Sequence, residues 1–227
     1  MCGKESGGKM ICGAVFDIDG VLLDTLKVWK NLGSRYLKAR GITPHENTDN
    51  ILFSMSMEEG AEYLKNTYAL SDGTDKILAD INKMLKEFYE CEALKKDGAD
   101  SLLDFIGKKN IPIAAATAGP RECEEAALKR NGLFKYFSRI YTTAEIGEGK
   151  SSPLIYNTAA EFLKTKACET LVFEDSLYAL KTAANAGFIT VGVADPFGEP
   201  DQAGLKSTAN IYIENLNEFF KAWEMLG

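Results

Sequence analysis

The chain has 227 residues, enough for one sizeable core and a smaller accessory unit, and carries a formal net charge of -7. That balance excludes a surface built for nucleic acid or anionic membrane, which would need clustered Lys and Arg. No apolar run approaches the ~20 residues of a membrane span, and the first residues lack the apolar core of a signal peptide, so a soluble cytoplasmic protein is expected.

Five cysteines, Cys2, Cys12, Cys91, Cys123 and Cys168, are scattered without a C-x-x-C pair. They predict reduced, mostly packed thiols and neither a disulfide framework nor a zinc site. The single histidine, His45, lies in the polar stretch T-P-H-E-N-T-D-N. A Ser-His or Cys-His nucleophile would have to recruit it from a surface loop, so nucleophilic chemistry falls to a carboxylate.

In chain order, residues 3–9 match G-x-x-x-x-G-K, but Met10 follows where Ser or Thr is needed, and the match precedes a strand. It reads as a mobile leader. Residues 11–25, I-C-G-A-V-F-D-I-D-G-V-L-L-D-T, begin as a buried parallel strand and break into Asp17 and Asp19. In open parallel sheets ligands sit beyond the carboxyl ends of the strands, where two neighbouring carboxylates repel unless a cation is bound. A hard, oxygen-ligated ion such as Mg²⁺ fits that demand. An acidic D-G turn is the alternative, but Val21, Leu22 and Leu23 follow at once and predict a compact loop folded inward.

Helical spacing follows over residues 28–40, 56–68 and 74–91, with Ser56 and Glu59 forming a capping box and residues 41–50 a loop. No β-rich run appears between Leu26 and Lys96, so residues 26–95 predict a helical insertion. From residue 98 helix and strand alternate: strands at 111–116, 139–142, 170–173, 189–193 and 209–213, helices at 99–109, 120–131, 152–166, 176–186 and a closing helix to Met225. The pattern predicts a parallel α/β sheet covered on both faces.

Three further strand ends carry chemistry. Thr117, Ala118, Gly119 and Pro120 place a hydroxyl and backbone amides at a helix start, which suits a phosphate or, more simply, an ordinary capped loop. Lys150 lies in a Gly-rich loop before a helix with Ser152 as N-cap and Pro153 at its first position; a cation is disfavoured there unless it meets an anion, the alternative being a solvated surface lysine. Glu174 and Asp175 end the strand L-V-F-E-D and could serve a hard metal, cap the next helix, or both.

Taken in order, D-I-D-G-V-L-L-D-T, T-A-G, G-K-S-S-P and F-E-D-S with A-A-N-A-G after it resemble the haloacid dehalogenase-like hydrolase superfamily, over nearly the whole chain. The helical insertion resembles the branch containing phosphoglycolate phosphatase and β-phosphoglucomutase. The resemblance implies a Rossmann-like core of residues 1–25 and 96–227 and a helical cap of residues 26–95. It also implies a phosphatase acting on a small phosphorylated metabolite through an aspartyl-phosphate, as a monomer or weak dimer, with a closing cap that excludes bulk water. Asp17 is then the nucleophile and Asp19 the general acid and base. Thr117, with the Ala118 amide, and Lys150 bind the phosphoryl oxygens, and Lys150 neutralises Asp17. Asp17, the Asp19 carbonyl and Asp175, with Glu174 beside them, hold Mg²⁺.

The sequence departs from that pattern at Gly119, Ser151, Leu154 and Ala179. In the cap, Trp29 and Met57 stand about where the mutase branch carries His and Arg. A mutase must hold a second phosphate with cap cations, so hydrolysis is favoured over isomerisation. A non-catalytic binding protein on the same fold is the other alternative, and intact Asp17, Asp19, Lys150 and Asp175 speak against it. Residues 53–57 are the expected substrate-facing cap segment, unless Phe53, Met55 and Met57 merely pack between helices.

Overall fold

The computed structural model describes residues 10–53 and 55–224. The expected leader, Ser54 of the cap segment and Met225 of the closing helix lie outside these residues. The chain forms two compact units, one from the described residues up to Asp24 and from Leu94 onward, the other from Thr25–Ala93.

Strand β1 (Gly13–Phe16) opens the first unit and is buried along its whole length. After it the chain turns tightly: the Ile18 carbonyl accepts hydrogen bonds from the amides of Val21, Leu22 and Leu23, and Gly20 takes a left-handed φ of 75°. Only glycine adopts that conformation without strain. Val21, Leu22 and Leu23 are fully buried, so the segment is a compact inward-folded loop.

The second unit is all helical: α1 (Leu26–Lys30), α2 (Leu32–Ala39), α3 (Thr48–Phe53), α4 (Met57–Thr67) and α5 (Thr74–Cys91). The helix expected over residues 28–40 is in fact two, broken at Asn31, whose side chain favours helix ends over interiors. Helix α3 occupies part of the expected loop. Its short length and polar first half hide it, yet Thr48 is buried and its hydroxyl bonds the His45 carbonyl and lies 2.6 Å from the Tyr68 hydroxyl. Helix α4 has the expected capping box, with Ser56 accepting from the Glu59 amide and Glu59 accepting from the Ser56 amide. On α5, Ile77, Ile81, Leu85 and Phe88 recur on one face and are buried.

The first unit resumes with α6 (Ala99–Lys108), β2 (Ile113–Thr117), α7 (Arg121–Arg130), β3 (Arg139–Thr142), α8 (Thr143–Ile146), α9 (Leu154–Leu163), β4 (Thr170–Glu174), α10 (Leu177–Asn185), β5 (Ile189–Val193), α11 (Gln202–Thr208), β6 (Ile211–Ile213) and α12 (Phe219–Glu224). The short helices α8 and α11 escape periodicity because one or two turns show no repeat. The strands form one parallel sheet in the order β3-β2-β1-β4-β5-β6. Successive strands run from β1 to one edge, then β4 continues on its other side, so the direction of winding reverses at β1.

Helix α9 covers one face: Ile155, Tyr156 and Ala159 pack with Val15, Ala114, Ala116 and Val172. The alanines of β2 bring the helix close, and α9 thereby fixes the loop that precedes it. Among the described residues no helix is long and apolar enough to cross a membrane. Cys91 and Cys168 are exposed and Cys12 is half-buried, so of the four described cysteines only Cys123 is packed as expected. Each of the other three falls near the end of an element, where apolar neighbours do not enclose it.

Candidate active site

The site is built at the carboxyl ends of β1, β2 and β4. Phe16 and Phe173 are register partners, and their rings stack at 4.0 Å with a 9° interplanar angle. The ladder continues one step further, with the Asp17 amide donating to the Phe173 carbonyl at 3.0 Å. Burying two fully enclosed aromatic side chains contributes about 1.5–3 kcal/mol each and locks the two strand ends together. Asp17 and Glu174, the next residue on each strand, are therefore neighbours.

Asp17, Glu174 and Asp175 are all buried, and each offers a carboxylate oxygen within 4.8 Å of the others'. Lys150, 3% exposed, reaches in from the loop before α9 and donates to Glu174 Oε1 at 2.8 Å; its Nζ lies 2.6 Å from Asp17 Oδ1. Asp17 Oδ1 also accepts the Ile18 amide at 2.8 Å. Burial works to lower the Lys150 pKa, but the charges of Asp17 and Glu174 outweigh it and raise it above the ordinary lysine range. The ammonium is thus charged.

The carboxyls are strained in the other direction. Burial, with the Asp17 charge second, pushes Asp175 up to about 8 and raises Glu174 well above the usual carboxylate range. Glu174 Oε1 is satisfied by Lys150 and by the Tyr156 hydroxyl at 2.7 Å, whereas Oε2 is buried without a partner. Fully ionised, the three carboxyls against one ammonium would leave two negative charges, the charge of one divalent cation. Hard oxygen donors and an orphaned carboxylate oxygen fit such an ion.

Thr117 ends β2 and is buried. Its hydroxyl accepts the Gly119 amide at 3.0 Å and donates to Glu124 Oε1 at 3.1 Å. Ala118 beside it is exposed. Asp19 lies on the loop after β1, half-buried, and its carboxylate falls outside the three-carboxylate cluster. Helix α7 starts at Arg121 with Pro120 as N-cap, and α9 starts at Leu154 with Pro153 as N-cap. Both prolines therefore stand one position earlier than expected, because each supplies the helix's first carbonyl acceptor: Pro120 for Glu124 and Pro153 for Asn157. Ser152 still accepts from the Leu154 amide, at 3.3 Å.

Three residues escaped the sequence reading. Tyr156 looks like core, and its hydroxyl partner is visible only in the fold. Lys96 follows the helical unit and pairs with buried Asp195 at 2.6 Å; it also bonds the Gly20 carbonyl and reaches the Ala194 carbonyl at 3.3 Å, pinning the loop that carries Asp19. Glu124 looks like first-turn acid complementing a helix dipole. Yet it is 0% exposed and shares the buried face of α7 with Ala127 and Leu128, a spacing that could have flagged it. Burial and then the Asp19 charge hold its carboxyl well above the normal range.

A parallel α/β sheet that gathers carboxylates, a buried lysine and a hydroxyl beyond its strand ends defines a class of ligand-handling proteins by itself. The chain belongs to the haloacid dehalogenase-like hydrolase family, whose profile matches residues 14–193. It is similar to the phosphorylated carbohydrates phosphatase of Thermotoga maritima (28% identical over 174 residues, covering 76% of this chain and 80% of the relative). Hexitol phosphatase A of Escherichia coli is likewise 28% identical, over 83% of this chain and 85% of its own. Among solved structures, a Thermotoga maritima protein provisionally called a β-phosphoglucomutase shares the fold with a TM-score of 0.84 and 24% identity, over 95% of this chain and 99% of its own.

Proposed function

We propose that the protein is a Mg²⁺-dependent phosphatase that hydrolyses small phosphomonoesters, sugar or polyol phosphates first among them, through an aspartyl-phosphate on Asp17. The observation that carries the reading is Lys150 Nζ lying 2.6 Å from Asp17 Oδ1, inside a cluster that also holds Glu174 and Asp175. The named activities of the two curated relatives, on phosphorylated carbohydrates and on hexitol phosphates, support the substrate class.

Asp17 attacks phosphorus. Its Oδ1 is held by the Ile18 amide and by Lys150, which leaves Oδ2 to form the new P–O bond as the P–O bond to the leaving alcohol breaks. Asp19 gives its proton to the departing alkoxide, then takes one from the water that attacks the phosphoryl-Asp17, releasing orthophosphate and the Asp17 carboxylate. Lys150 offsets charge on the phosphoryl oxygens and on Asp17, and Thr117 with the Ala118 amide contacts those oxygens. Asp17, the Asp19 carbonyl and Asp175, with Glu174 behind them, would hold the Mg²⁺, which when bound neutralises phosphoryl charge.

Trp29 and Met57 supply no cation for a second phosphate; the Trp29 indole donates to the Tyr89 hydroxyl and Met57 opens α4. That supports hydrolysis over isomerisation. The test is phosphate release from p-nitrophenyl phosphate and from a panel of sugar, polyol and nucleotide phosphates, with and without Mg²⁺. Asp17→Asn should abolish turnover, and a variant as active as the parent removes Asp17 from the mechanism.

A further inference from the structure

Glu124 is a fully buried acid outside the metal-capable cluster, and the proposed chemistry gives it no task. It projects from the first turn of α7, and its Oε1 accepts the Thr117 hydroxyl at 3.1 Å. Its Oε2 is buried without a hydrogen-bond partner. A methyl group at position 119 would overlap Glu124 Oε1 and lie 3.1 Å from Asp19 Oδ2. The two carboxyl groups thus approach each other across the space that one side-chain carbon would fill. Gly119 has no such carbon, and the Thr117 hydroxyl in turn accepts the Gly119 amide at 3.0 Å. Four residues, Asp19, Thr117, Gly119 and Glu124, form one closed group.

We propose that Glu124 is a positioning residue of the active site, holding the Thr117 hydroxyl and the Asp19 carboxyl in their working directions, with Gly119 as the residue that admits it. This rests on the roles proposed above for Asp19 and Thr117. Through Thr117, Glu124 decides where a hydroxyl proton points, either back at Oε1 or out toward a phosphoryl oxygen. Against Asp19, it limits the rotamers open to a half-buried side chain on a loop. A carboxyl or carboxamide can do both; an apolar side chain of the same length can do neither.

The experiment compares Glu124→Gln, Glu124→Leu and Gly119→Ala on two substrates, p-nitrophenyl phosphate and glycerol phosphate. The aryl leaving group departs with little help, whereas the alkyl one needs a proton from Asp19. A well-placed acid contributes about 10²–10⁴-fold, so displacing it should cut kcat on glycerol phosphate about tenfold more than kcat on the aryl ester. Glu124→Leu and Gly119→Ala are expected to show that selective loss, and Glu124→Gln to recover most of it. Equal losses on both substrates, or a Gln variant as selective as the Leu one, would overturn the assignment.

A second readout needs no turnover. Calorimetric binding of inorganic phosphate in the presence of Mg²⁺ should weaken about fivefold in Glu124→Leu, the worth of one hydrogen bond, and be recovered in Glu124→Gln. Unchanged affinity counts against Glu124. Should Glu124→Leu not fold, Gly119→Ala carries both comparisons, because it keeps the carboxyl and moves it. An active Asp17→Asn parent would sink the reading of the site, whereas an inactive Asp17→Asn together with unselective Glu124 and Gly119 variants would sink only this inference.

Discussion

Replacing Lys150 by methionine keeps the length of the side chain and removes its charge. In the parent the ammonium stands 2.6 Å from Asp17 and 2.8 Å from Glu174, with side-chain exposures of 3%, 10% and 0% for the three residues, so solvent screens little of the interaction. Removing one partner of such a buried arrangement costs about 3–5 kcal/mol, because the carboxylates left behind have no counter-charge. In a chain of this length each kcal/mol moves Tm by roughly 2–4 °C, which gives a fall of roughly 6–20 °C for metal-free protein at pH 8.

The dependence on pH has a definite sign. Asp175 is pushed up to about 8 by burial and then by Asp17, and Glu174 is raised by the same two causes in the same order. A folded-state carboxyl with a raised pKa binds a proton that the unfolded chain has released. Its destabilisation is therefore absent below about pH 4, grows through the interval, and is complete above about pH 8. The Lys150→Met deficit should accordingly shrink at pH 5. Saturating Mg²⁺ at pH 8 should return part of it, about 2.7 kcal/mol at one hundred times Kd. Thermal scans at pH 5 and pH 8, in chelator and in Mg²⁺, measure all of this. A deficit below about 1 kcal/mol at pH 8, or the same deficit at both pH values, would refute the reasoning.

Phe16→Ala removes one of the stacked rings that align β1 with β4 and should cost about 3–5 kcal/mol in denaturant unfolding, with turnover falling alongside. Gly119→Ala inserts a methyl group against Glu124 and should cost about 1–3 kcal/mol from overpacking; in a Glu124→Ala background most of that cost should be relieved, leaving the tight approach to Asp19, as thermal scans of the single and double variants would record. Because Asp175 must lose its proton to take a metal, Mg²⁺ affinity should rise up to about tenfold per pH unit from pH 6 to about pH 8 and then level, which calorimetry in matched buffers can follow.

Most of the fold was legible because its signals are local. Long buried runs such as L-V-F-E and the capping box at Ser56 announce themselves without help from distant residues. Asp17, Lys150, Glu174 and Asp175 stood out as candidates in the same local way, as charged residues at strand ends or before a helix, and the fold brings them together. What was not legible depends on partners far along the chain. The Tyr156 hydroxyl means nothing until Glu174 is beside it, and Glu124 reads as a solvated helix acid until Gly119 and Thr117 enclose it. Helix α3 is only six residues long, and its first residue, Thr48, is tied to Tyr68 twenty residues away.

The central place of β1 also shapes the order of events on the ribosome. Phe16 pairs with Phe173, and Ala14 with Ile113, so this strand must wait for partners made much later. At ~5–20 residues per second the interval to its β4 partner is roughly 8–30 s. During that time an apolar segment with two open edges is exposed in the nascent chain, a hazard for self-association. The carboxylate cluster can assemble only once β4 has been made.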